Sequence, residues 1–77
     1  MYSDEFVKNF AAQFDETDSS KITFKTHFRD IEEWSSLNGL AIINMIWKKY
    51  GVNLKTEEMK MVNTVQELYD LVKSKKA

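Results

Sequence analysis

Ser36-Leu37-Asn38-Gly39-Leu40-Ala41-Ile42-Ile43-Asn44-Met45-Ile46-Trp47-Lys48-Lys49-Tyr50-Gly51 is the stretch that decides the fold. It is the most apolar part of the chain, and without proline it runs far longer than an ordinary strand. The length predicts a helix from Ser36 to Tyr50. Gly51 suits the left-handed position just past a helix end, and Lys48 and Lys49 suit the negative end of the dipole. Asn44, Lys48 and Lys49 interrupt the apolar run, which falls far short of a membrane span.

Working outward, Phe6, Phe10 and Phe14 recur every four residues beside Val7 and Ala11. That spacing predicts a helix over about Asp4 to Phe14, with Ser3 as N-cap and Asp4 and Glu5 at the positive end. From Asp15 to Ser35 no period persists. Threonine and serine cluster there, yet Ile22, Phe24, Phe28, Ile31 and Trp34 supply apolar anchors. A structureless loop of this length is unusual in a compact domain, so these anchors should pack across the core, with a short strand or helical turn at Ile22–Phe24. A short helical turn is expected over about Thr56 to Val62. Thr64-Val65-Gln66-Glu67 is a capping box that opens a last helix, whose apolar face is Val65, Leu68, Leu71 and Val72. The expected architecture is all-α: one domain spanning residues 1–77, three main helices plus one short helix, and a long loop between the first two.

Seventy-seven residues with 43% hydrophobic and 30% charged composition form an ordinary small domain. Twelve acids against 11 bases give a net charge of −1, which argues against a nucleic-acid binder. The balance is uneven. Met1 to Asn38 carries 8 acids and 4 bases, and Gly39 to Ala77 carries 4 acids and 7 bases. The chain has no cysteine, hence no disulfide, thiolate nucleophile or zinc-thiolate site. No secretory signal pattern opens it, and a cytoplasmic setting is expected.

Enzymatic constellations are nearly absent. His27 is the lone histidine, read as an exposed loop residue, and no ordinary metal site can be assembled around it. Glu32-Glu33 and Glu57-Glu58 are adjacent acids, which point about 100° apart on a helix and are read as solvated. In Trp47-Lys48-Lys49-Tyr50 the rings are expected to face the core and the lysines water. The chain is therefore read as a non-enzyme.

Trp34-Ser35-Ser36-Leu37 lies where the long loop turns into the most apolar helix, and a serine there is a natural N-cap. With its flanks, this stretch resembles the acyl carrier protein family. Glu33-Trp34-Ser35-Ser36-Leu37 is similar to the Glu-Trp-Asp-Ser-Leu variant of some stand-alone bacterial carriers. Tyr50-Gly51-Val52-Asn53-Leu54 resembles the family's exit from the second helix, and Asn63-Thr64-Val65-Gln66-Glu67-Leu68 the start of its final helix. The resemblance runs from Phe28 to Val72, extends to Asp4–Phe14, and is looser between.

The resemblance implies a covalent 4′-phosphopantetheine arm on Ser36, installed from coenzyme A by a magnesium-dependent phosphopantetheinyl transferase. The arm would carry acyl groups as thioesters for fatty-acid-like or polyketide-like biosynthesis. Acyl-loading and acyl-modifying enzymes would be the partners of a monomeric carrier. Ser35 occupies the position of the motif aspartate. Leu37, Ala41 and Met45 fall on one arc near Ser36 and, with Trp34, are candidates for partner binding. Ile43, Ile46 and Tyr50 should turn inward, with Ile42 less clearly placed. The family's second helix is usually acidic, and here it carries lysines. A peptidyl or aminoacyl carrier, or a carrier-like helical interaction module without the arm, are the alternatives.

Overall fold

A computed structural model describes residues 3–76. It contains four α-helices: α1 (Ser3–Ala11), α2 (Ser36–Tyr50), α3 (Thr56–Met59) and α4 (Val65–Lys76). No strand forms among the described residues, so the architecture is the small all-α bundle expected. No helix among them is long and apolar enough to cross a membrane.

α2 keeps its expected bounds because its end signals are local. Gly51 stands at φ 68°, where a side chain would be strained, and its N–H donates to Trp47 O. α1 ends earlier than expected. Ser3 lies inside the helix rather than capping it, and after Ala11 tighter bonds take over, with Phe14 N–H donating to Ala11 O. α3 is also shorter than its expected span. α4 opens on the Thr64 capping box: Glu67 N–H donates to Thr64 Oγ1 at 3.1 Å, and Thr64 N–H to Glu67 Oε1 at 3.0 Å.

Phe6, Phe10, Phe28, Ile42, Ile46, Val65, Leu68 and Val72 are completely buried between α1, α2, α4 and the long loop. Aromatic edges and faces connect them. Phe6 packs against Tyr50 and Tyr69, and Phe28 against Phe10 and Trp34, with ring centroids 5.1–5.8 Å apart.

The loop between α1 and α2 is fixed at several points. The turn expected at Ile22–Phe24 falls three residues earlier, as a 3₁₀ turn over Ser19–Lys21, and a second covers Phe28–Asp30. Residues 24–28 run beside the start of α4. Gln66 N–H donates to Phe24 O, Val65 N–H to Thr26 O, and Phe28 N–H to Asn63 O. Arg29 reaches across to Val62 O at 2.6 Å, to Asn63 Oδ1 at 3.0 Å, and to Met59 O.

Two of the acids read as solvated turn out to be fasteners. Glu33 accepts from the backbone N–H groups of Asp15, Glu16 and Thr17 and from Thr17 Oγ1, all within 2.8–3.0 Å. Those donors, led by the Thr17 hydroxyl, hold its carboxyl below the ordinary value. Glu58 accepts from Lys55 N–H at 3.0 Å and pairs with Lys75 of α4 at 2.8 Å. The Lys75 bond is the main cause of its lowered pKa.

Two predictions follow the packing. Phe28→Ala should cost about 3–5 kcal/mol. A domain of this size holds only about 4–12 kcal/mol. Urea unfolding followed by circular dichroism should therefore show a much lower midpoint or an unfolded chain. Glu33→Gln should destabilise at neutral pH. A carboxyl with a lowered native pKa stabilises the fold above its ordinary value of 4.5 and loses that contribution as pH falls through the native value. The gap in Tm between wild type and Glu33→Gln should be constant above about pH 5.5 and close at lower pH.

Candidate functional site

The serine pair is divided between two jobs. Ser35 is the N-cap of α2, with extended backbone at φ −150° and ψ 174°. Its N–H and its hydroxyl both donate to Asn38 Oδ1, each at 2.9 Å. Asn38 Nδ2 in turn donates to Gln13 O at 3.3 Å, which ties the start of α2 to the chain leaving α1. Ser36 is the first residue of the helix and is exposed. Among the described residues its hydroxyl makes no hydrogen bond, and the N–H groups of Ser36 and Leu37 face the free end of α2.

Ser36 stands at the rim of an apolar crevice between α2 and α3. The crevice has a volume of about 360 Å³, and its walls include Trp34, Gly39, Leu40, Ile43 and Met59, with Lys60 at the edge. The indole of Trp34 lies over Gly39, where an added Cβ would meet its ring at 3.6 Å. Trp34 is half-buried, held by the rings of Phe14 and Phe28. It is thus a wall of the crevice as well as part of the loop's packing. Arg29 also lines the crevice, but its guanidinium is engaged by the carbonyls of Met59 and Val62.

The outer arc of α2 differs from the expected one. Met45, placed with Leu37 and Ala41 near Ser36, is buried at 5% exposure. Ala41 is half-buried. On that side Gln13, in the chain leaving α1, lines a shallow depression together with Ala41 and Met45. Ile42 is fully buried instead, while Ile43 and Tyr50 are half-buried and Ile46 is completely enclosed. Outside remain Leu37 at 75%, Leu40 at 55% and Trp47 at 57% exposure. Trp47 therefore faces water, contrary to the expectation that both rings of its tetrapeptide turn inward. Tyr50 does turn in, and its hydroxyl accepts from Asn9 Nδ2 at 2.9 Å.

His27 is exposed, and its backbone bridges to Thr64. No group of three or more histidine or acidic side chains that could hold a metal exists among the described residues. The crevice is not legible in the sequence because its walls come from α2, α3 and the loop together. The one signal for it was Gly39, a small residue within an otherwise bulky helix.

The division of labour is testable by stability alone. Ser35→Ala should lose about 0.5–2 kcal/mol through the cap. Ser36→Ala should stay within about 0.5 kcal/mol of wild type. Thermal melts of the two variants measure both.

In comparisons with known proteins, the chain matches no family model, no curated protein and no solved structure.

Proposed function

We propose that this chain is a carrier that tethers acyl groups as thioesters on a 4′-phosphopantetheine arm attached to Ser36. The observation that carries the reading is an exposed, unengaged Ser36 hydroxyl at a helix N-terminus, on the rim of an apolar crevice.

The residues present fit such a group. In the attachment step, Ser36 Oγ forms a bond to the phosphorus that bears pantetheine in coenzyme A. The pyrophosphate bond breaks, 3′,5′-ADP leaves, and the hydroxyl proton passes to a base on the transferase. The phosphodiester charge would then lie beside the free N–H groups and positive dipole end of α2, a favourable place for an anion. The arm supplies a terminal thiol, the one chemistry that a chain without cysteine lacks. Trp34, Leu40, Ile43 and Met59 would shelter the apolar part of a cargo from water, which is favourable by about 25 cal/mol for each Å² removed.

Ser35 replaces an acid that the family uses in transferase recognition, so the chain calls for a transferase that accepts a neutral cap. A peptidyl or aminoacyl cargo is the second reading, favoured by an α2 without any acidic residue.

Intact mass of protein purified from its native host, beside Ser36→Ala, tests the proposal. The expected result is one added phosphopantetheinyl group on the wild type and none on the variant. Further mass on the arm would identify the cargo. A native protein without the addition would leave an interaction module as the better account.

A further inference from the structure

We propose that Asn38 is a site of spontaneous deamidation and that the cap of α2 sets its rate. The chain has five asparagines, at positions 9, 38, 44, 53 and 63, and Asn38 alone is followed by glycine. The others precede Phe10, Met45, Leu54 and Thr64, whose side chains hinder attack by the backbone nitrogen that follows. In the reaction the Gly39 amide nitrogen gives its proton to hydroxide and attacks Asn38 Cγ. A C–N bond forms, the Cγ–Nδ2 bond breaks, and ammonia leaves with a proton taken from water. The resulting succinimide ring then adds one water. It opens to aspartate or, at its other carbonyl, to isoaspartate.

The folded chain keeps the two reacting groups apart. Gly39 N–H donates to Ser35 O at 3.2 Å in the first turn of α2. Asn38 is half-buried, its Oδ1 accepts from the N–H and the hydroxyl of Ser35, each at 2.9 Å, and its Nδ2 donates to Gln13 O at 3.3 Å. Helical backbone also directs the Gly39 nitrogen along the axis, away from Cγ. The ring therefore closes only after this turn opens. Helix ends fray, and opening here is local: Ile42, one turn further on, stays in the core. The product changes the junction that carries Ser36. An aspartate keeps both bonds from Ser35 and places a negative charge at the positive end of α2, where it is favoured. It has no donor for Gln13 O, so the tie to the chain leaving α1 is lost. An isoaspartate adds a methylene to the main chain and cannot continue the turn. Deamidation requires only the cap and the glycine, whether or not Ser36 bears an arm.

The test incubates the full chain at mildly alkaline pH, folded in buffer and unfolded in urea. Peptide mapping by mass spectrometry locates each conversion, isoaspartyl methyltransferase labelling detects isoaspartate, and circular dichroism confirms which samples are folded. Asn38 should convert in both samples while the other four asparagines do not. The folded wild type should react at least about tenfold more slowly than the chain in urea. Folded Ser35→Ala should convert about two- to thirtyfold faster than folded wild type, the equilibrium factor of a lost cap. In urea the two should react alike. Gly39→Ala, whose added Cβ would meet Trp34 at an ordinary 3.6 Å, should slow the reaction folded and unfolded. Conversion centred on another asparagine would overturn the proposal. So would a folded rate equal to the rate in urea, or a folded Ser35→Ala no faster than wild type. Absence of any product from folded Ser35→Ala, once the sample in urea has reacted completely, would overturn it as well.

Discussion

The ring of Phe28 is the constraint on which the rest of this fold depends. It is completely buried, and it contacts Phe10 of α1 on one side and Trp34, at the approach to α2, on the other. Its own N–H bonds to Asn63 O just before α4. A single residue in mid-loop therefore brings together α1, the start of α2 and the start of α4. A loop of this length has many ways to be wrong, and its closure costs entropy that grows only slowly with length. What must be supplied is a few strong anchors rather than continuous structure. Phe28 is the apolar anchor, Arg29 the polar one towards α3, and Glu33 the one that returns the chain to the end of α1.

These anchors explain why a site can sit at the loop's end. Trp34 is clamped between aromatic rings before Ser35 caps α2, so the serine pair emerges from a fixed point rather than a mobile tip. Ser35 spends its hydrogen bonds on Asn38, and Asn38 spends one on Gln13. Ser36, one residue on, spends none. The cap thus absorbs the first serine and leaves the second available, which is the distinction that a nucleophile at this junction requires.

What was legible in the sequence was local. The bounds of α2, the glycine that ends it and the Thr64–Glu67 box are decided within a few residues, so pattern alone reaches them. Glu33 reads as a solvated acid in the sequence because its partners lie 16–18 residues away. Arg29 likewise finds its acceptors 30–34 residues on. The faces of α2 failed for a different reason. A helix apolar almost all round has no preferred inner side, and which arc is buried depends on what packs there. Met45 is in the core, on the side where Gln13 of the chain leaving α1 lies, while Leu40 and Trp47 are outside. The crevice needed three segments to be placed before it existed at all.

α2 consequently presents three surfaces with three chemistries. Ile42 and Ile46 belong to the core, Gly39 and Ile43 to the crevice, and Leu37 and Trp47 to the outside. Leu40 belongs to two of them: it is more than half exposed and is also a wall of the crevice. On the carrier reading this has a direct energetic consequence. A cargo chain lodged in the crevice would bury the inner side of Leu40 and leave its outer side in water, so the shelter there would be partial.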